Sequence, residues 1–187
     1  MVSAELLPLA SPRFEMGPPD FQTIELGRLV DRVLRESGFI DFEKLVITPG
    51  EKVWNVMVDI YPINDDGNLI DISTIAAVRA LQSAKVPVLD SDGKIDYTQK
   101  STESLTLNEL KPVSISFFKL GNSLLLDPTR EEEEACDARI TFGLSRLNGK
   151  LFINSCQKKG ESTLSKEELS RITEILESKY DELSAKF

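Results

Sequence analysis

Residues 137–157 read DARITFGLSRLNGKLFINSCQ, and the Asn148-Gly149 pair at their centre decides how the rest of the chain is read. Asparagine followed by glycine suits a two-residue type I′ turn, whose central residues both take positive φ. Residues 137–147 and 150–157 are therefore predicted to pair as an antiparallel hairpin. Just upstream, residues 113–118 and 123–126 flank Gly121-Asn122 and form a second predicted hairpin. Downstream, residues 165–185 carry the clearest helical pattern. Ser165 and Glu168 make a capping box, Leu164 and Leu169 a hydrophobic staple, and Leu169, Ile172, Ile175, Leu176 and Leu183 an apolar face. Antiparallel hairpins followed by an amphipathic helix predict an α+β fold with helices packed on a sheet.

The N-terminal side continues this pattern. Residues 2–9 read as the end of a strand, followed by a proline-rich loop over 11–20. Asp20 caps a helix that runs to about Ser37, with Gly38 after it. At ~100° per residue, Arg28, Arg32 and Arg35 fall within an arc of roughly 60°, opposite Leu26, Leu29, Val30 and Val33. Residues 52–63 (KVWNVMVDIYPI) alternate like one long strand, with Trp54, Val56, Val58 and Ile60 on the drier face. A turn at 65–68 leads into a helix over 70–84 whose small residues (Ser73, Thr74, Ala76, Ala77, Ala80) permit close approach to a sheet. Residues 86–88 and 94–97 read as a small hairpin around 90–93, and 98–110 as irregular chain.

Composition narrows the chemistry. The chain has 187 residues, a formal net charge of −9 and no histidine. A Ser-His-Asp triad, a Cys-His pair and a histidine-bearing zinc site are thereby excluded within it. Any chemistry must run on carboxylates, lysines, arginines or a bound metal. Cys136 and Cys156 read as buried, reduced thiols of a cytoplasmic protein. No apolar run approaches the ~20 residues that span a bilayer, and the first residues lack the pattern of a signal peptide. Three guanidinium groups in a row on an acidic chain suit a phosphate surface, because arginine presents a planar fork of donors. The plainer reading pairs Glu25 with Arg28 and Asp31 with Arg35 as surface ion pairs. Residues 131–134, all glutamate, read as a short acidic helix or loop, a solvated acidic turn rather than a metal site. Asp71 reads as a cap or turn residue, and Lys158-Lys159-Gly160 as a basic loop after a strand.

Several motifs occur in a recognisable order: ELLPLA (5–10), FEMGPPD (14–20), IELGRLVDR (24–32), KLVI (44–47), PGEKVW (49–54), the Gly67-Asn68 turn with its alanine-rich helix, and LLDP (125–128). In this the chain resembles the non-catalytic RNase PH-like subunit of the archaeal exosome ring. The resemblance implies a single RNase PH-like domain over 1–187, two-layered, with mixed and antiparallel sheets. It also implies that the strands usual at the N-terminus are missing.

Active members of that family hold phosphate on a Gly-Gly-(Thr/Ser)-Arg turn at a helix start. The matching positions here are Gly67, Asn68, Leu69 and Ile70, where the hydroxyl and the guanidinium have become aliphatic. The resemblance therefore implies no catalytic residue, no cofactor and no metal in this chain. Arg28, Arg32 and, less closely, Arg35 would contact RNA. The partners would be a catalytic RNase PH-like subunit in a hetero-hexameric ring, RNA, and RNA-binding cap subunits, in the cytoplasm and without membrane contact. The competing expectation is a phosphorolytic or metal-dependent exoribonuclease active by itself, using Asp137 with Asp59 and Asp71.

Overall fold

The computed structural model describes residues 1–186. Its main sheet is antiparallel, in the order β6-β5-β7-β8, built from β5 (Val113–Leu120), β6 (Ser123–Leu126), β7 (Ala138–Leu147) and β8 (Lys150–Gly160). Both expected hairpins are present. Asn148 and Gly149 take φ of 52° and 77°, and Leu147 pairs with Lys150 across them. β5 and β7 are buried on both faces for most of their length.

One face carries Val113, Ile115, Phe117, Ile140, Phe142 and Leu144. It packs against Ile172, Leu176 and Tyr180 of α4 (Lys166–Ser184). Phe117 and Phe142 meet edge to face with ring centroids 6.3 Å apart. Tyr180, which the apolar pattern omits, is buried. Its hydroxyl donates to the Lys111 carbonyl at 3.0 Å and accepts from the Arg146 amide at 3.1 Å, so its polar tip is satisfied. Leu169 stays 39% exposed, leaving that face of the helix narrower than expected.

The opposite face of the sheet bears small polar residues, Ser114, Ser116 and Thr141, all buried. Onto it pack α1 (Phe21–Glu36) and α2 (Leu69–Ser83). The small side chains of α2 make this possible: Thr74 Oγ1 accepts from Ser114 Oγ at 2.8 Å and donates to the Ile70 carbonyl at 3.0 Å. Leu26, Leu29, Val30 and Leu34 of α1 join Val78 and Leu81 of α2 in a second apolar cluster, together with Phe14, Phe39 and Leu45.

Residues 52–63 do not form one strand. β3 (Lys52–Val53) pairs with β2 (Val46–Thr48), whereas β4 (Val58–Ile60) pairs in parallel with β1 (Val2–Ala4). The segment changes partner between the two. The Trp54 amide still donates to the Leu45 carbonyl at 2.8 Å, while the Val58 amide already donates to the Met1 carbonyl at 3.0 Å. The alternation survives the break, since Trp54, Val56, Val58 and Ile60 all pack on the second apolar cluster. The expected hairpin at 86–97 reduces to a single bridge, Leu89 with Ile95, around a turn organised by Asp90.

Candidate nucleic-acid interface

Helix α1 sets the geometry of the arginine stripe. Asp20 accepts from the Thr23 amide at 2.8 Å, the expected cap, and hydrogen bonding from Thr23, its side chain first and its amide second, holds the carboxyl below the usual carboxylate range. Leu26, Leu29, Val30, Val33 and Leu34 are buried, whereas Arg28, Arg32 and Arg35 are all exposed on the other side.

The three arginines share a stripe but not an environment. Arg35 lies 3.5 Å from Asp31 and 3.4 Å from Glu36, so its charge is largely answered locally. Arg32 donates to the neutral Gln157 Oε1 of β8 at 3.2 Å. Arg28 has no hydrogen-bond or ion-pair partner among the described residues. Two guanidinium charges are thus left to the solvent.

The Glu25–Arg28 pair expected from their spacing does not form. Glu25 is buried and turns to the sheet, where Oε1 accepts from Arg139 Nη2 at 2.9 Å and Oε2 from Lys159 Nζ at 2.8 Å. Arg139 and Lys159 face each other across β7 and β8, so one carboxylate pins α1 to two strands. The Glu25–Arg139 pair is buried, with Lys159 half-exposed beside it, and such a pair is weak evidence for stability. It sets the roll of α1, and Arg28, one turn further on, points outward as a consequence. Lys159 also lies 5.2 Å from the centroid of the Phe21 ring. The 158–160 segment expected as a loop is the end of β8.

The phosphate-turn positions have a different fate. Asn68 sits in the left-handed region at φ 49° and caps α2 without a side-chain hydrogen bond to the helix. Its amide instead donates to Glu133 Oε2 at 2.7 Å, and its Nδ2 to Asp127 Oδ1 at 3.1 Å. Glu133 belongs to α3 (Arg130–Ala135), capped by a box between Thr129 and Glu132. Gly67, at φ 90°, lets α3 close in, since a Cβ there would stand 2.5 Å from the Pro128 carbonyl oxygen. Ile70 is 6% exposed and part of the apolar core.

The acidic run is therefore not a wholly solvated turn. Glu133 reaches the start of α2 and Glu134 pairs with Arg13 at 3.0 Å, while Arg13 also holds Asp65 at 2.8 Å. The end of α2 that would face an anion is covered by a carboxylate of the same chain.

The three aspartates of the competing expectation do not converge. Asp59 accepts from Ser3 on the β1–β4 pair, and Asp137 accepts from the Gly121 amide at 2.9 Å. Asp71 is neither a cap nor a turn residue. It is buried and accepts from the Ser116 amide at 2.8 Å and the Ser116 hydroxyl at 2.9 Å, docking α2 on β5. Burial pushes its carboxyl up to about 6, against the lowering effect of those hydrogen bonds. Of the cysteines, Cys136 is half-buried and Cys156 is exposed on β8, contrary to the buried pair expected. Trp54 is half-buried against the core of α1 and α2.

Two family models match in succession: "3' exoribonuclease family, domain 1" over residues 1–87 and "3' exoribonuclease family, domain 2" over residues 112–175. The chain is 39% identical over 184 residues to the exosome complex component Rrp42 of Methanothermobacter thermautotrophicus, covering 98% of this chain and 66% of the relative. It is 41% identical over 191 residues to the Rrp42 of Thermococcus onnurineus, covering 98% and 67%. The chain thus spans about two thirds of the length of these relatives. Among solved structures, it is similar to a chain of the Archaeoglobus fulgidus exosome with RNA bound to the active site. There the TM-score is 0.81 at 41% identity, over 93% of this chain and 66% of that one. A chain of an archaeal exosome core aligns with TM-score 0.76 at 35% identity, over 94% and 62%.

Proposed function

The chain belongs to the 3′ exoribonuclease family of RNase PH-like proteins, and from that footing we propose that it is a non-catalytic, RNA-binding structural subunit of the archaeal exosome ring. The observation that carries the reading is the closed start of α2. Phosphorolysis needs a seat for the attacking anion, and here Leu69 and Ile70 replace its donors while Glu133 takes the Asn68 amide. No residue of this chain is given a catalytic role, and the reading calls for no metal or cofactor.

RNA contact falls to α1. Arg28 and Arg32 present unneutralised guanidinium groups from backbone positions about 6 Å apart along the helix axis. Arg35, already shared between Asp31 and Glu36, contributes less. In this reading the subunit alternates with a catalytic RNase PH-like partner in a hetero-hexameric ring in the cytoplasm. RNA passes α1 on its way to the partner's active site, and RNA-binding cap subunits complete the assembly. The likeness to Rrp42 proteins and to an exosome chain solved with RNA supports this arrangement. Among the described residues no helix is long and apolar enough to cross a membrane.

The test mixes the chain with a catalytic RNase PH-like subunit and follows phosphate-dependent shortening of single-stranded RNA. Shortening is expected from the mixture and not from the chain alone. Arg28→Glu combined with Arg32→Glu should weaken RNA binding and reduce its log–log salt slope by about 0.7 per lost phosphate contact, with the mass of the assembly unchanged. Phosphate-dependent shortening by the purified chain alone refutes the non-catalytic reading. Unchanged RNA affinity in an intact assembly removes the arginines from it.

A further inference from the structure

Phe21 is the first residue of α1 and is 71% exposed, one of several large apolar side chains on the surface. Helical geometry puts it on the arginine stripe. Seven residues separate it from Arg28, which at 3.6 residues per turn returns the ring to within roughly 20° of the guanidinium bearing and about 10 Å along the axis. Ile24, 51% exposed, lies on the same side between them. One flank of the stripe is closed by β8, through Gln157 on Arg32 and Lys159 beside Phe21. The Lys159 ammonium stands 5.2 Å from the ring centroid and is itself anchored to Glu25, which holds the ring's neighbour in place.

The result is a track with an exposed aromatic ring at its head, one face of it covered by the anchored Lys159 ammonium, and two unneutralised guanidinium groups behind it. An aromatic face in line with phosphate-binding arginines is the arrangement that takes up single-stranded nucleic acid, because every base has a π-face whatever its identity. We propose that Phe21 is a base-stacking platform: one base of a single-stranded RNA lies on the ring face turned away from Lys159 while Arg28 and Arg32 hold neighbouring phosphates. This rests on the RNA-binding reading above and adds a contact that is indifferent to salt and to sequence.

The experiment measures the affinity of the full chain for single-stranded oligoadenylate by fluorescence anisotropy at two salt concentrations, with Phe21→Leu, Phe21→Trp and the Arg28→Glu/Arg32→Glu pair. A second oligonucleotide series carries one abasic position moved along the strand. Phe21→Leu should lose about 5- to 100-fold in affinity with an unchanged salt slope, and Phe21→Trp should retain wild-type binding. At one abasic position, wild type and Phe21→Leu should bind equally. Because Phe21 is exposed, thermal melts of the variants should match wild type.

If the arginine pair weakens binding while Phe21→Leu does not, the stacking platform is refuted and the RNA surface stands. Should neither variant change the affinity, both fall. If Phe21→Leu instead weakens assembly with the catalytic partner and leaves RNA binding intact, the ring is a subunit contact and the proposal is overturned.

Discussion

Replacing Asp71 by asparagine tests the docking of α2 on the sheet. The wild-type carboxyl is buried and titrates at about 6, whereas an unfolded aspartate titrates near 3.8. Below pH 3.8 the group is protonated in both states, and its contribution to stability is whole. As pH rises, the unfolded chain releases its proton first, so the native state loses stability until the folded carboxyl has also ionised at about 6. A shift from 3.8 to about 6, at about 1.4 kcal/mol per pH unit, makes the full loss about 3 kcal/mol. Of this, about 2 kcal/mol falls between about pH 4.5 and 7.5.

Asparagine keeps the shape and an oxygen to accept from the Ser116 amide, while the Ser116 hydroxyl, already 2.9 Å from Thr141 Oγ1, is free to turn and accept from the new amide. Any hydrogen bond lost on substitution is a constant offset, because asparagine does not titrate. The assay is urea denaturation of both proteins at about pH 4.5 and 7.5, compared through ΔG extrapolated to water. The difference, variant minus wild type, should rise by about 2 kcal/mol in the variant's favour between the two pH values. Other carboxylates with shifted titration, such as Asp20 and Asp96, are common to both proteins and cancel. A difference that stays constant with pH refutes the idea that burial, rather than the hydrogen bonds, governs Asp71.

Glu25→Gln should destabilise by about 3–5 kcal/mol in urea, because Arg139 is buried and loses its compensating charge, while the half-exposed Lys159 recovers hydration and adds little. Orthophosphate titrated into isotopically labelled protein should leave the amide resonances of residues 67–71 unmoved, since Glu133 already holds the Asn68 amide. A saturable shift there would show that the start of α2 is open to anions.

How much of this is legible in the sequence divides by distance along the chain. The Asn148-Gly149 turn, the Asp20 and Ser165 caps and the two faces of α1 are set within a few residues, and each is found where the pattern puts it. The misread residues have partners far away. Glu25 looks like a partner for Arg28 because helical spacing reveals only neighbours on the same helix. Its actual partners lie 114 and 134 residues on, and only the folded register brings Arg139 and Lys159 together. Asp71 looks like a cap because it stands in the first turn of a helix, and nothing local announces the hydroxyls of β5 that receive it. Residues 52–63 look like one strand because alternation reports which side is dry, not which neighbour supplies the ladder. The arginine stripe is legible as a direction, but the difference between Arg35 and the other two needs the side-chain partners.

The proposed separation of RNA binding from phosphate capture rests on how the two helices are anchored. α1 is held by Glu25 on β7 and β8, its outer stripe touches β8 only along one flank, and Arg28 has no partner among the described residues. α2 is held by Asp71 and Thr74 on β5, and its first turn lies against α3, which supplies a carboxylate where an active relative's turn would receive an anion. Closing the second site alters none of the contacts that orient the first. In the proposed reading, the arginine stripe and Phe21 can therefore serve RNA while the start of α2 is closed to anions. Reopening that turn would need more than a hydroxyl in place of Leu69 and a guanidinium in place of Ile70. Ile70 belongs to the apolar core, so a guanidinium there would be buried, and Glu133 would still occupy the amide. The double substitution Leu69→Thr with Ile70→Arg, made without displacing α3, is thus expected to lower the urea midpoint and to return no phosphate-dependent RNA shortening.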